Sequence, residues 1–336
     1  LSLRERETRM GSGQDTGRAD DQKAPEVSVV IPARNAQGMI KDQLEALTLQ
    51  QTDRPFEVIV VVNGCTDRTE EEARSFSGRL NLRVIHSEPG YSSSRNAGAL
   101  AARSHVVLFC DADDAATPTW VEALSSAVEK RHGIVGGFFG YRRFNTPGAC
   151  RAYGFDPASP DGPEALMGED EFKDARSVSG GNFGVWREDY LRVGGLDNSY
   201  RGGLEETDFC HRARQQGIPV VFCQDARIEV RLRSVASRAF WQQRGYAVNK
   251  ILFVARTDRE KGPFAHDVPR KFNVSFKWSL KALARSGAAA LAYPVADPGR
   301  RIKILHDLGG HLGSVEGHLK YRVLGRVPPR RLLRRR

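Results

Sequence analysis

The sequence predicts an α/β fold built on a mainly parallel sheet with helices on both faces. Two observations support this. Short β-branched runs alternate with longer stretches of helical periodicity, and most residues of these runs are apolar on both strand faces. Strands that are apolar on both faces need cover on both sides, and helices between successive strands favour parallel pairing. The predicted strands cover residues 27–31, 56–62, 82–85 and 106–109, and the predicted helices cover 37–51, 67–77, 92–103 and 118–131.

Each of the four predicted strands is followed by a polar motif. The carboxyl ends of parallel strands meet at one edge of a sheet, and ligands bind beyond that edge. We therefore expect one binding site that all four loops share. The motifs are Pro32-Ala-Arg-Asn35, Asn63-Gly-Cys-Thr-Asp67, Pro89-Gly-Tyr-Ser92 and Asp111-Ala-Asp-Asp114.

The fourth motif places three acids, Asp111, Asp113 and Asp114, at the mouth of a buried strand. Carboxylates this close together repel one another unless a cation or a proton neutralises part of their charge. Ligands that are all oxygen suit Mg²⁺ or Mn²⁺, so the motif predicts a divalent metal site. A helix cap with extra acid in the first turn is the alternative that this segment alone leaves open.

Length and charge divide the chain of 336 residues unevenly. We predict a disordered, polar lead over residues 1–25, a large α/β domain over 26–232 and a basic, mainly helical extension over 233–336. Residues 1–229 hold 27 Lys and Arg against 35 Asp and Glu, whereas residues 230–336 hold 24 against 6. The basic character therefore belongs to the C-terminal third, which indicates a separate task there.

The five cysteines are widely spaced and form no Cys-x-x-Cys pair, so the sequence predicts neither a disulfide framework nor a zinc site. This cysteine usage is typical of a reducing cytoplasm. The polar lead predicts no signal peptide, and no apolar run reaches the roughly 18 residues that a membrane span needs. We expect a cytoplasmic protein that can lie peripherally at the inner face of the membrane.

Taken in order, six motifs resemble those of a family 2 glycosyltransferase with a GT-A fold, over about residues 26–230. The resemblance implies transfer, with inversion, of a sugar from a nucleoside-diphosphate donor, with UDP favoured and Mn²⁺ or Mg²⁺ as cofactor. It implies a hydroxyl acceptor on a glycan or lipid-linked glycan of the cell envelope. The motifs are Val-Ile-Pro-Ala-Arg-Asn, Val-Asn-Gly-Cys-Thr-Asp-Arg-Thr, Ser-Ser-Arg-Asn-Ala-Gly, Cys-Asp-Ala-Asp-Asp, Gly-Gly-Asn and Glu-Glu-Thr-Asp-Phe.

The resemblance also implies a role for individual residues. Glu206 takes the place of the base, which inversion needs in order to remove the acceptor proton, and neighbouring acids raise the pKa of such a carboxylate. Acid in the first turn of a helix is the structural alternative for that cluster. The donor residues implied are Pro32, Ala33, Asn35, Asn63, Arg95, Asn96, Asp111 and Ala112; the metal ligands are Asp113 and Asp111; the acceptor-side residues are Gly181, Asn182, Trp186, Glu205 and Asp208.

Two positions depart from the family pattern. Relatives often carry one or two acids where this chain has Val62 and Asn63, and one of those acids often reads the base of the nucleotide, whereas here only Asn63 can supply hydrogen bonds. Relatives also often carry a metal-binding histidine at the position that matches Val230. These departures leave the base undetermined and favour weaker metal binding. They also support an alternative function, a non-catalytic relative that binds a nucleotide sugar or a glycan.

In the C-terminal third, aromatic residues are interleaved with Lys and Arg. This composition predicts helices that lie on an anionic membrane surface. Packing of these helices on the core or in a homo-oligomer is the first alternative. Nucleic acid is the least favoured partner because no nucleic-acid-binding fold is evident. The aromatic residues are Phe240, Trp241, Tyr246, Phe253, Phe272, Phe276 and Trp278.

Overall fold

The computed structural model describes residues 24–155, 172–260 and 274–333. Most of the predicted disordered lead, residues 156–171, and Phe272 lie outside these residues. The strands are β1 (Val27–Ala33), β2 (Phe56–Val62), β3 (Leu82–His86), β4 (Val106–Cys110), β5 (Ala115–Ala116), β6 (Ile134–Gly140), β7 (Phe172–Asp174), β8 (Asn182–Trp186) and β9 (Val220–Glu229). The helices are α1 (Ile40–Thr48), α2 (Thr69–Arg74), α3 (Tyr91–Ala101), α4 (Trp120–Arg131), α5 (Pro147–Ala152), α6 (Arg187–Val193), α7 (Glu205–Gln215), α8 (Ala236–Thr257), α9 (Phe276–Ala290) and α10 (Pro298–Gly317).

In the described ranges, the nine strands form one mixed sheet in the order β3-β2-β1-β4-β8-β6-β9-β5, with β7 paired to β9. The first four strands of this order are parallel to one another. The side chains of β1, β2 and β4 are buried on both faces, against α1, α2 and α4 on one side and α3, α6 and α7 on the other, whereas those of the edge strand β3 are mostly half-buried. The predicted fold class and the first four predicted strands are therefore confirmed.

Strand β8 is antiparallel to both of its neighbours, β4 and β6. Its direction therefore sets that of the strands beyond it. It pairs with β4 so that Asn182 lies opposite Cys110 and Trp186 lies opposite Val106. It also pairs antiparallel with β6, and β6 is parallel to β9. Strands β4 and β9 thus run in the same direction, and their carboxyl ends share one edge of the sheet. That edge brings residues 230–233 beside residues 111–114.

The C-terminal region is helical, as predicted, and a stripe of glycines holds two of its helices together. Gly309, Gly313 and Gly317 of α10 follow one another at intervals of four residues and face the backbone of α8. A Cβ atom added to Gly313 would lie 2.9 Å from the Cα atom of Arg244. Only glycine permits backbones to approach this closely. In the described part of the chain, no helix has an apolar stretch long enough to cross a bilayer.

Residues of α8 and of the segment around residues 330–333 contact the α/β domain. Arg256 of α8 pairs with buried Asp197 at 2.9 Å, and Arg330 pairs with buried Asp208 at 2.9 Å. The backbone N–H of Leu333 donates to the carbonyl of Gly194. The domain boundary predicted near residue 232 stays a prediction, since these contacts cross it.

Candidate active site

The acids that follow β4 form a tight cluster. The carboxylate oxygens of Asp111, Asp113 and Asp114 lie within 4.8 Å of one another, an arrangement that could hold a metal ion. Burial and the neighbouring carboxylates raise the pKa of Asp113 and, more strongly, that of Asp114. Among the described residues, no histidine joins this cluster. The cluster therefore carries more negative charge than its surroundings neutralise, and its ligands are all oxygen.

Two guanidinium groups already contact this cluster. Arg95 is buried at the start of α3 and donates to Asp111 at 2.6 Å and to the carbonyl of Gly180 at 3.1 Å. Arg233, just beyond β9, pairs with Asp113 at 3.2 Å. Burial, and then the charge of Asp111, raise the pKa of the Asp113 carboxyl even though Arg233 acts to lower it.

A pair of glycines lies against both the aspartate cluster and a second acidic group, which consists of Glu205 and Glu206. A Cβ atom at Gly181 would lie 2.7 Å from Oδ2 of Asp111, and one at Gly180 would overlap Oε1 of Glu206. The Gly180–Gly181 turn therefore lies against both Asp111 and Glu206. Burial, and then the charge of Glu205, raise the pKa of Glu206 to about 8. A carboxylate with such a pKa can accept a proton near neutral pH.

The loop before α7 sets the position of Glu206. Gly202, Gly203 and Leu204 all have positive φ angles, of 93°, 106° and 74°. Such a φ is costly for leucine, so the surrounding structure must hold the loop in place. Asn249 of α8 is buried and donates to the carbonyls of Arg201 at 3.1 Å and Gly203 at 2.9 Å. Helix α8 thus holds the loop from which Glu206 projects.

The predicted donor loops at the ends of β1 and β2 are joined to each other. The backbone N–H of Thr66 donates to the Oδ1 atom of Asn35 at 2.8 Å. The side-chain amide of Asn63 exchanges two hydrogen bonds with the backbone of Gly90, at 2.9 and 3.1 Å. Asn35 is exposed at the shared edge, whereas Asn63 and Ala33 are buried and Pro32 is half-buried. The amide of Asn63 is therefore used to hold the loop before α3.

Three of the predicted site residues serve the packing of the domain instead. Asn96 is buried and bonds to the hydroxyl of Tyr190 and to both backbone groups of Leu196. Asn182 is buried and accepts from the indole N–H of Trp120 at 2.8 Å. Asp208 is buried between Arg212 and Arg330. The structure does not bring these side chains into the site, because their polar atoms are engaged inside the core.

Trp186 was expected on the acceptor side, and the structure corrects this. It lies at the far end of β8, opposite the first residue of β4, whereas Asp111 follows the last residue of β4. Its ring stacks on His132, with 5.8 Å between ring centroids. Trp186 is thus at the opposite edge of the sheet from the acids. Three other predicted site residues do lie near the acids. Ala112 lies between Asp111 and Asp113 in the chain, Gly181 faces Asp111, and Glu205 directly precedes Glu206.

Sequence reasoning missed Arg233 and Tyr246, which both come from the segment assigned to the basic extension. The ring of Tyr246 covers Gly203, where an added Cβ would overlap it. Burial, followed by the charges of Glu206 and Glu205, raises the pKa of the Tyr246 phenol. A signal for Arg233 was available, since it follows β9, which ends at the same edge as β4. Tyr246 was grouped with membrane-facing aromatics, as was Phe253, which the structure buries.

Comparison with known proteins identifies the family. The model of "Glycosyl transferase family 2" matches residues 28–194, and the model "N-terminal domain of galactosyltransferase" matches residues 171–232. Together they span the acidic cluster, the glycine pair and α7. The chain belongs to glycosyltransferase family 2. The region matched is the one over which the resemblance was expected.

Curated relatives of this family 2 chain are distant. A "Validoxylamine A glucosyltransferase" of Streptomyces hygroscopicus subsp. limoneus is 27% identical over 60% of this chain and 51% of its own length. A "Glucosyl-dolichyl phosphate glucuronosyltransferase" of Haloferax volcanii is 28% identical over 66% of this chain and 75% of its own length. The match to the validoxylamine A enzyme thus spans about half of that relative.

Solved structures confirm the GT-A fold of this family 2 chain. The mannosyltransferase PcManGT from Pyrobaculum calidifontis, in complex with GDP-Man and Mn²⁺, has a TM-score of 0.59 at 19% identity. That match covers 88% of this chain and 87% of PcManGT. Residues 1–349 of S. aureus TarS, in complex with UDP-GlcNAc, have a TM-score of 0.57 at 15% identity, covering 89% of this chain and 92% of that one. At these identities the likeness concerns the fold alone.

Proposed function

We propose that this chain is an inverting glycosyltransferase that moves a sugar from a nucleoside-diphosphate sugar to a hydroxyl group of an acceptor. One observation carries the proposal. Asp111, in a cluster suited to a metal, and Glu206, a carboxylate with a pKa raised to about 8, both lie against the Gly180–Gly181 turn. Such a pair supplies the two functions that inversion needs: neutralisation of a leaving diphosphate and a base.

The reaction proceeds by direct displacement. The acceptor hydroxyl oxygen attacks the anomeric carbon, and its proton passes to Glu206. The bond from that carbon to the diphosphate oxygen breaks, and the diphosphate leaves with the electron pair. Glu205 keeps the pKa of Glu206 raised, which matches the base to neutral pH. Arg95 holds Asp111 in place on the donor side.

The acidic cluster fits a divalent metal. Its donors are all oxygen and lie close together, and burial, followed by the neighbouring carboxylates, raises the pKa of Asp113 and Asp114 despite the nearby Arg233. Asp113 and Asp111 would hold Mn²⁺ or Mg²⁺. When bound, such an ion supplies Lewis-acid stabilisation of the negative charge on the leaving diphosphate.

Finer assignments are part of the same proposal. UDP is the favoured nucleotide, with support from the UDP-GlcNAc bound to TarS, and GDP is the competing outcome given the GDP-Man bound to PcManGT. The acceptor is a glycan or a lipid-linked glycan, which the name of the Haloferax relative supports. The basic helices associate peripherally with an anionic membrane surface at the cytoplasmic face.

A thermal-shift screen of UDP, GDP, dTDP, CMP and their sugars, with and without Mn²⁺, tests this function. Ligand at about a hundred times its Kd stabilises a protein by about 2.7 kcal/mol, which shifts its melting temperature by several degrees. We expect a UDP-sugar to give this shift and Mn²⁺ to increase it. Asp113→Asn should lose the increment from Mn²⁺ and keep the shift from the donor alone.

The screen also separates the proposal from its alternative. If no nucleotide or nucleotide sugar shifts the melting temperature, donor binding is refuted. If a donor binds but no UDP or GDP is released in the presence of Mn²⁺ and a range of glycan acceptors, the non-catalytic binding protein becomes the better description.

A further inference from the structure

A second cavity lies in the helical C-terminal region. It has a volume of about 610 Å³ and is enclosed by α5, α9 and the first half of α10. None of its described lining residues belongs to the acidic site. Its walls include Ala152, Ala289 and Ile304, and basic side chains surround these apolar surfaces. An apolar interior with a basic rim suits a ligand that has an anionic head and an apolar body.

The charge in this cavity is not balanced. Of its acids, Asp307 pairs with Lys303 at 2.9 Å, and Asp297 caps α10 by accepting from the backbone N–H of Arg300 at 3.0 Å. Within residues 24–155, 172–260 and 274–333, the guanidinium groups of Arg151, Arg285 and Arg300 have no ion-pair partner. Three guanidinium groups without an ion-pair partner favour the binding of an anion in this cavity. The planar geometry of a guanidinium group matches that of a phosphate.

The segment beside the cavity exposes aliphatic side chains. Leu291 is 84% exposed and Val295 is 88% exposed, which are the highest values among the exposed large apolar residues that the structure describes. Each lies within two residues of a residue that lines the cavity, Ala289 or Asp297. Trp278, 46% exposed, contacts His311 of the cavity wall edge-on. Exposed aliphatic groups next to a cationic cavity are suited to insertion at a bilayer surface.

We propose that this cavity binds the phosphate headgroup of an anionic membrane lipid, while Leu291 and Val295 enter the acyl region. The inference gives a defined site to the membrane association proposed above and does not depend on sugar transfer. A lipid is favoured over a soluble phosphate because the aliphatic side chains of residues 291 and 295 would otherwise remain in water.

The cavity is connected to the acidic site through a short chain of contacts. His306 pairs with Asp307 of the cavity wall and contacts the ring of Tyr153 edge-on, with 5.3 Å between ring centroids. The hydroxyl of Tyr153 donates to the backbone carbonyl of Arg233 at 3.1 Å. A lipid bound in the cavity would therefore be linked, through Tyr153, to the loop between β9 and α8 that carries Arg233.

Flotation of the full chain with vesicles tests the proposal. Vesicles of phosphatidylcholine are compared with vesicles that also contain phosphatidylglycerol. The variant Arg285→Gln/Arg300→Gln removes two cavity cations. Its matched control, Lys277→Gln/Lys281→Gln, removes the same charge from exposed positions of the same region, outside the cavity. We expect the cavity variant to lose about tenfold in partitioning to anionic vesicles, and the control to lose about threefold or less.

Two further measurements complete the test. Leu291→Ser/Val295→Ser should also lower partitioning, without loss of the melting-temperature shift given by a nucleotide sugar. Equal losses for the cavity variant and its lysine control would overturn the site, because diffuse attraction would then explain the binding. Complete competition by inorganic phosphate, with no effect of the aliphatic changes, would overturn the lipid and indicate a soluble anion. If donor binding fails while the vesicle results hold, only the transferase proposal falls.

Discussion

The two halves of the site edge are built on different physical principles. At the ends of β1 and β2, the polar side chains bond to one another and to backbone, as in the pairs Asn63–Gly90 and Asn35–Thr66. At the end of β4 and the start of α7, acids are crowded together and their pKa values are raised. The first half is satisfied without a ligand, whereas the second keeps unfavourable charge that a ligand or a proton can relieve.

From this difference we expect substitutions in the acidic half to affect catalysis, and substitutions in the β1–β2 half to affect only binding or folding. Unfavourable charge retained in a folded protein costs stability, and functional sites are where such costs are usually found. The acidic half is thus expected to trade stability for activity. The β1–β2 half should behave as ordinary structure that shapes a surface for the donor.

The largest effect is expected for Glu206→Gln, which keeps the size of the side chain but removes the base. Transfer should fall by about a thousandfold, while the donor-induced shift in melting temperature is kept. Steady-state rates of donor consumption measure the first, and thermal denaturation measures the second. Glu188→Gln, an exposed acid in the first turn of α6, is the control and should change neither. Full turnover by Glu206→Gln would exclude Glu206 as the base.

The same variant should be more stable than the wild type at neutral pH. The pKa of Glu206 in the folded protein, about 8, lies above its ordinary value of 4.5, so folding takes up a proton between these values. Stability therefore falls as pH rises from about 4.5 to about 8, and glutamine removes this cost, which is about 3 kcal/mol at pH 7. Melting temperatures of both proteins should converge near pH 4. Parallel curves across this range would contradict the raised pKa.

The next effect concerns the pH dependence of transfer. If the unprotonated Glu206 is the base, log kcat/KM should rise with a slope of one as pH rises towards about 8 and then level off, giving about a tenfold loss per pH unit below it. Buffers of constant ionic strength and a fixed metal concentration are needed. A profile that is flat from pH 6 to 9 would show that the base has an ordinary pKa or that another step limits the rate.

Asn249→Ala should have a moderate effect, because Asn249 touches the loop before Glu206 and is a positioning residue. Loss of two hydrogen bonds to a loop with positive φ at Leu204 should lower kcat by about tenfold, with KM for the donor changed little. Arg187→Ala is a matched control, since Arg187 also donates hydrogen bonds to two backbone carbonyls, those of Ala99 and Leu100, but at the opposite edge of the sheet. Equal losses in kcat for both variants would indicate general destabilisation.

The smallest effect is expected in the β1–β2 half. Asn63→Ala removes the two bonds to Gly90 and should lower stability by about 1 to 2 kcal/mol. Donor affinity should fall only a few fold, and the preference among nucleotides should stay the same, because the amide is engaged with backbone. A change of nucleotide preference on this substitution would show that Asn63 reads the base, and would remove the contrast between the two halves.

Much of the fold was predictable from sequence, because the first four strands are apolar runs with polar residues only at their ends. The family motifs also indicated the acids that the structure brings together. Antiparallel β8 and the short β5 were not predictable in this way, since their pairing depends on contacts far along the chain. The same reason explains Trp186, whose position follows from the register of β8 against β4.

The C-terminal third was the least predictable region. Its excess of arginine predicted a surface, yet Arg256 and Arg330 neutralise buried acids of the α/β domain. Composition records the number of charges and not their partners, so it cannot separate an arginine in a buried ion pair from one that faces solvent. Arg233 and Tyr246 were missed for the same reason, although they lie at the acidic site.

The pairing of Arg330 with Asp208 makes two distant segments of the chain depend on each other during folding. Asp208 lies on the helix that begins with Glu205 and Glu206, and one of its two guanidinium partners, Arg330, is 122 residues away in sequence. If the segment around Arg330 is not docked, a buried carboxylate on this helix lacks half of its counter-charge. Correct placement of Glu206 therefore requires a long-range contact that formation of the helix alone cannot replace.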